Sequence, residues 1–510
     1  MNLAARFEIL DGNRVSQLER YRTFAENTIP SLLPREGHDQ TEEFNHPFSS
    51  VQARGITGMA SKMLGAMLPL NDMPFFQLGL KSGRDQTVEE REYLEDIARR
   101  AHKKLTSKNL RDSLFQALKY LITVGNCLVT LEDDFKIRLT RLDHYVTVRN
   151  ILGDVIEIIY LDFKFRDETA DPVTLGLGGF SSRNTYPFDV FYNQVKWNEE
   201  TEVWDFRREN SEGDLLETGT YEKFALPFVA ARWNVVPGEH YGRSYVEEIY
   251  GDIISLEAYT ESLTETLSAS ASWWPAVNPY GTTDLNDVSG RPNGAWIAAS
   301  PNDVFVVSPA NTMRSSVQAA FEAVESMRRS VSTAFLDSQG QVRQAERVTA
   351  AEIRMLGQEL EQVLGGAFSA IAKELFVPLV RRTLFLMIEN GELDERITST
   401  LFDDDEGIFE IDIITGLQAL SRDNDLVKLM QMGDMMRNLP PEAAQSFKWD
   451  EYGRALVTAL GFNPANWIKS PEEVQQEQSM QMGQQMAAQG MGAGIEQAAM
   501  GAAQQLVGPM

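Results

Sequence analysis

The sequence predicts an α+β fold that is mainly α. Three observations predict it: long stretches in which apolar residues recur every three or four positions, a central block in which apolar and polar residues alternate, and a 43% hydrophobic content spread over 510 residues. A chain of this length holds roughly two to four domains and a sizeable core.

Between Asn2 and Asn27, Phe7, Leu10, Val15, Leu18 and Phe24 fall on helical spacing, and "TIPSLLP" ends the pattern with two prolines. "SSVQARGITGMASKMLGAMLPLNDMPFFQL", Ser49 to Leu78, reads as a helix with Ile56, Met59, Met63 and Met67 on one stripe and Pro69 as a stop. Its small residues Gly55, Gly58, Ala60 and Gly65 permit close packing, and the methionine stripe reads as core. Two more helices fit Glu89 to Gly125. The runs "FKIRLTRLDHYVTVRN", "VIEIIYLDFKF", "PFDVFYNQVKWN", "EVWDFRREN" and "KFALPFVAARWNVVPG" then alternate as strands do. Phe135 to Pro237 is therefore a β-rich unit inserted among helices, with Trp197, Trp204 and Trp233 in its core.

After "YGRSYVEEIYGDI" a long helical pattern places Ile249, Ile253, Leu256, Leu263, Leu267 and Trp274 on one face, and Pro275 breaks it. The following stretch is rich in Pro, Gly, Asn and Asp. It holds two strand-like runs, "AWIAA" and "VFVVS", which predict a compact β excursion. Met313, Val317, Phe321, Val324, Met327, Val331 and Phe335 then define another long helix. A polar stretch, "LDSQGQVRQAE", separates it from "ERVTAAEIRMLGQELEQVL", where Thr349 and Glu352 match a capping box and start the next helix. If unbroken to Asn390 that helix is about 60 Å long, with bends at Gly365, Gly366 and Pro378. A methionine-rich helical region follows from Asp423 to Leu439. Ten glutamines and six methionines after Glu473 then mark a tail that composition leaves disordered in the isolated chain and able to order on assembly with its own copies.

The composition excludes several kinds of chemistry. A net charge of −27 and a pI near 4.7 rule out a broadly basic, duplex-gripping surface. The single cysteine, Cys127, lies in an apolar run and reads as a small buried hydrophobe, with no disulfide framework possible in one chain. "GITGMASKM", Gly55 to Met63, lacks the order of a phosphate-binding loop, and "LGLGGF" around Gly176 lacks dinucleotide spacing. The histidines His38, His46, His102, His144 and His240 are far apart, with no zinc motif among them. The acidic run Asp403 to Glu406 reads as a solvated turn, and no G-x-S-x-G elbow is present. No catalytic residue, cofactor or metal is expected. Neither a secretory signal nor an 18-residue apolar span appears, so no membrane anchor is expected.

The order of parts resembles the portal, or head-to-tail connector, proteins of short-tailed, T7-like bacteriophages. "SSVQARGITGMASKMLGAMLPLNDMPFFQL" is similar to the N-terminal signature of that group, "YGRSYVEEIYGDIISLEAYTE" to its entry into the stem, and "ERVTAAEIRMLGQELEQVLGGAFSAIAKELFVPLVRR" to the helix after its loop. The resemblance implies the portal fold in a ring, usually dodecameric, with a central channel at one capsid vertex.

In that plan residues 1–240 form the wing, 241–274 a stem helix, 275–311 the clip and 312–335 the second stem helix. Residues 336–347 form the tunnel loop, 348–410 a long bent wing helix and link, 411–470 the crown, and 471–510 a barrel or disordered tail. It implies as partners the chain's own copies, the terminase motor, a tail adaptor, major capsid and scaffolding proteins, and double-stranded DNA passing non-specifically, in a particle assembled in the host bacterial cytoplasm. Ser338, Gln339, Gln341, Arg343 and Gln344 would face the DNA, while Thr282, Asp284, Asn286, Asp287 and Arg291 would form the clip surface. An internal core or scaffolding protein of a capsid is the alternative, which helicity and acidity alone would also serve.

Overall fold

Asn2 opens the first helix, its side chain accepting from the Ala5 amide at 3.0 Å; the N-terminal pattern then divides at Arg14 into α1 (Leu3–Asn13) and α2 (Val15–Glu26). The computed structural model describes residues 2–35, 43–68, 74–80, 88–165, 188–271, 274–284, 296, 302–307, 310–336, 366–367, 369–393, 409–413, 429–435, 452–453 and 456–457. It divides into two units, Met1–Leu417 and Gln418–Met510. In the second, residues 429–435 are helical, and the Tyr452 hydroxyl donates to the Leu429 carbonyl at 2.7 Å.

The first unit is built round a helical core. In α3 (Val51–Met67) the expected stripe of Ile56, Met59, Met63 and Met67 is buried. The helix ends at Met67. Beyond it, Phe76–Leu80 is not helical but a strand, β1, paired antiparallel with β12 (Phe409–Ile413), so the chain returns to its N-terminal part more than 300 residues later. Nothing local in the sequence announces such a pairing. The next helices are α4 (Val88–Thr106) and α5 (Leu110–Val124). The latter buries Leu114, Ala117, Leu118, Leu121 and Ile122 against its neighbours.

The β-rich region begins a strand earlier than the alternation suggests. β2 (Asn126–Leu131) is buried at every position and is the middle strand of the sheet β3-β2-β9, with β3 at Ile137–Thr140 and β9 at Phe228–Arg232. A strand covered on both faces has no reason to alternate. A five-stranded antiparallel meander follows: β4 (Tyr145–Arg149), β5 (Val155–Phe165), β6 (Phe188–Asn198), β7 (Val203–Asn210) and β8 (Leu215–Glu222). β8 is an exposed edge strand, which is why its sequence carries no apolar period. Trp204 and Trp233 are buried as expected, and Trp197 packs half-buried against the same core. Helix α1 covers the other face, where Leu3 and Phe7 meet Val146, Ile159 and Tyr192.

A one-turn helix, α6 (Tyr245–Glu248), leads into α7 (Tyr250–Ala271). Trp274 does not continue this helix as the spacing predicted but opens the strand β10 (Trp274–Val277). Pro275 explains the change, since the residue before a proline is pushed from helical to extended backbone. β10 pairs antiparallel with β11 (Val304–Val307), the expected "VFVVS" strand, and α8 (Ala310–Ala334) follows. "AWIAA" lies outside the described residues except for Trp296, as do the capping box Thr349/Glu352, the acidic run 403–406 and the C-terminal tail.

Within the described residues the C-terminal helix carries a π-helical turn, Ala372–Phe376, just before α9 (Val377–Glu389). Pro378 has no N–H to offer the preceding turn, and the Val377 N–H reaches back five residues to the Ala372 carbonyl.

One buried histidine gives this fold a pH dependence. His144 is 8% exposed, its ring 4.9 Å from that of Phe163. Burial holds its pKa down at about 4, with Asp143 opposing and Arg141 reinforcing the shift. Between that value and the ordinary 6.5 the unfolded chain binds the extra proton, so stability falls as pH drops from about 6.5 to about 4, by up to about 3 kcal/mol. Urea denaturation of wild type and His144→Phe across this window checks it: the wild type loses more stability on acidification, and parallel curves would contradict the assignment.

Candidate functional site

Helices α7 and α8 run antiparallel with the β10–β11 hairpin joining their far ends. The Ser330 hydroxyl lies 3.3 Å from the Asp252 carboxylate, and Ile253, Leu256 and Leu263 of α7 are buried with Val324 and Val331 of α8. Leu267, expected on the same stripe, is 45% exposed.

The outer surface of α7 is set by its composition. The helix carries Asp252, Glu257, Glu261 and Glu265 and no Lys or Arg. Four of its hydroxyls are turned onto its own backbone: Ser255 donates to Gly251, Thr260 to Leu256, Thr264 to Thr260 and Thr266 to Ser262, each at 2.6–2.7 Å. Glu257 is used structurally. Its carboxylate accepts from the backbone amides of Phe48 and Ser49 at the entry to α3, and from the Gln52 side chain. Glu261 and Glu265 are exposed, which leaves a helix face of solvated carboxylates with no fixed cation on the same helix.

At the hairpin end a tight turn presents an aromatic side chain. The Asn278 side chain accepts from the Tyr280 amide at 3.0 Å and its carbonyl accepts from Gly281 at 3.0 Å, while the Asn278 amide donates to the Asp303 carbonyl at 2.8 Å. One oxygen of Asp303 accepts from the Thr282 amide and from the hydroxyls of Thr282 and Thr283 at 2.8–3.1 Å. These bonds, the Thr282 amide first, hold the Asp303 carboxyl below its ordinary range. Gly281 is pressed against that carboxylate, where a Cβ would sit 2.5 Å from Asp303 Cγ. The turn thus holds Tyr280 in solvent at 96% exposure, and Trp296 is 98% exposed.

Of the clip residues expected from sequence, Thr282 and Asp284 are exposed, but the Thr282 hydroxyl is committed to Asp303. Asn286, Asp287 and Arg291 lie outside the described residues, as do Ser338, Gln339, Gln341, Arg343 and Gln344 of the loop after α8. No local pattern singles out Trp296 or Asp303, whereas the "NPYG" turn is a signal for Tyr280. Cys127 is buried in β2 as expected, and burial pushes its thiol up to about 12, so it stays protonated. Among the described residues no cluster of His, Cys, Asp or Glu is arranged to hold a metal ion, and no helix is long and apolar enough to cross a membrane.

The most distinctive feature among the described residues is this helix pair closed by a β ribbon, one helix of which carries carboxylates and no Lys or Arg. Residues 1–167 and 195–467 match the family described as bacteriophage head to tail connecting protein, and the chain belongs to that family. Over 510 aligned residues it is 30% identical to the portal protein of Escherichia phage T7, covering 96% of this chain and 92% of the relative. It is 28% identical to the portal protein of Enterobacteria phage T3, covering 96% and 93%. A solved structure, the neck of an empty GTA particle, aligns with a TM-score of 0.39 at 12% identity, covering 82% of this chain and 91% of that one. The family assignment rests on the sequence matches.

The turn makes a local test. In Gly281→Val the new side chain displaces the Asp303 carboxylate and frees the Thr282 amide. Hydrogen exchange at Thr282 and Thr283 is expected to speed by about tenfold or more while exchange in α5 is unchanged; unaltered exchange in the turn would contradict the close packing.

Proposed function

We propose that this chain is a portal subunit: a dodecameric ring of copies sits at one capsid vertex of the virion, docks the terminase during packaging, then joins head to tail and passes the genome at ejection. The observation that carries the reading is α7, 22 residues long, with four carboxylates and no Lys or Arg. At about 1.5 Å per residue it spans about 33 Å, enough to line one segment of a channel. Each Lys or Arg on a channel wall would add a phosphate contact and act as a brake, whereas carboxylates repel the backbone. The ring itself is a passive conduit with no catalytic residues, and the docked motor supplies the energy.

In this reading residues 241–274 and 312–335 are the stem and 275–311 the clip. Residues 336–347 are the tunnel loop, in which Arg343, flanked by Gln339, Gln341 and Gln344, touches the backbone lightly. Residues 1–240 with 348–410 form the wing that meets capsid and scaffolding proteins, and residues beyond 411 form crown and tail. Assembly takes place in the host cytoplasm. The clip is the docking face for terminase and tail adaptor in turn, and its anchor is Tyr280, an exposed aromatic on a hydrogen-bonded turn and of the kind that dominates protein interfaces.

Tyr280→Ala is expected to leave ring formation intact and to weaken docking of terminase and adaptor by about thirtyfold, the loss typical of one interface anchor. Titration of assembled protein with each purified partner measures it. Wild-type affinity for both would contradict this role of the clip.

A further inference from the structure

The segment "GITGMASK", which lacks the order of a phosphate loop, has another use in the fold. Gly55 and Lys62 are seven residues apart, hence on one face of α3, and both meet the end of α8. Phe335 is fully buried, and its ring lies so close to Gly55 that a Cβ there would be 2.6 Å from the ring Cδ2. From the other side the Tyr245 ring stands edge-on to Phe335 at 6.0 Å, and its hydroxyl donates to the Ala334 carbonyl at 2.6 Å.

The next residue is held in an unusual conformation. Leu336 has φ +56°, the left-handed region that a leucine avoids, with its amide donating to the Thr333 carbonyl at 2.9 Å. The Lys62 ammonium donates to the Leu336 carbonyl, putting a cation where α8 ends in unsatisfied carbonyl groups. Left to itself, Leu336 would relax toward the common regions and the chain would leave α8 in another direction.

We infer that Gly55, Lys62 and Tyr245 form a latch that fixes the point and direction at which the chain leaves α8. Lys62 is the positioning residue for whatever follows residue 336. Gly55 lets Phe335 seat, Tyr245 holds the last turn, and Lys62 holds Leu336 in the left-handed conformation. The functional half of this inference rests on the reading above, in which the following segment touches passing DNA.

The test uses the full assembled chain and two readouts. The first is limited trypsin digestion, comparing cleavage after Arg343 and Arg347 with cleavage after Lys223 in the remote β8–β9 connection. In Lys62→Met, cleavage at Arg343 and Arg347 is expected to accelerate by about tenfold, with Lys223 cleavage and the melting temperature unchanged, and Lys62→Arg is expected to restore the wild-type rate. Gly55→Ala is expected to act the same way and to be relieved by Phe335→Leu. Unchanged cleavage at Arg343 and Arg347 in Lys62→Met would overturn the latch, and equal acceleration at Lys223 would reduce Lys62 to a general stabiliser. The second readout is retention of packaged DNA in particles carrying Lys62→Met, expected to fall. Full retention alongside accelerated cleavage would leave the latch standing and sink the link to DNA.

Discussion

The ion pair of Arg232 with Glu374 ties the end of β9 to the C-terminal helix. Arg232, at the end of β9, is 4% exposed at its side chain; its backbone amide and guanidinium both reach Glu374, the closest approach being 2.5 Å. Arg149, at the end of β4, lies beside it and donates to the carbonyls of Gly153, Ala230 and His240 at 2.7–3.2 Å. Burial, and then the charge of Arg232, push Arg149 down to about 10, while Glu374 opposes the shift. Glu374 keeps Arg232 from being a bare buried charge, which would cost about 3 kcal/mol or more, while Arg149 joins the two sheets through the Ala230 carbonyl of β9. Glu374 stands on the π-helical turn just before Pro378, so that turn and the docking of β9 form one arrangement.

Much of this was legible in the residues. The helices α3, α5 and α8 follow apolar stripes, and β3 to β7 follow alternation along much of their length, although α1 covers part of the outer face of β4 to β6. Where both faces are buried or both exposed the signal vanishes, as in β2 and β8. The pairing of β1 with β12 joins segments with no local relation, and Trp274 was assigned by its spacing although the proline beside it governs the backbone. At the candidate site, the composition of α7 could be read directly. Tyr280 could not, since what matters there is a turn locked by Asp303 through contacts made across 20 to 25 residues. Gly55 stands out as a small residue within a helix, but the target that it shares with Lys62, the end of α8, appears only when α3 packs against it.

The two ends of the α7–α8 pair are built differently, as their proposed tasks require. At the hairpin end a small hydrogen-bonded turn offers an aromatic to solvent. At the other, Phe335 and Leu336 are buried and held by residues from α3 and α6. Between them α7 turns four of its hydroxyls onto its own backbone and leaves Glu261 and Glu265 in water, so carboxylates set the charge of its surface.

Electron cryomicroscopy of the purified, assembled chain would decide whether that surface lines a channel. Closed rings of about twelve copies, with Glu261 and Glu265 of every α7 facing a central hole, are the expected result. Open filaments or monomers, or rings in which those carboxylates face outward, would contradict it.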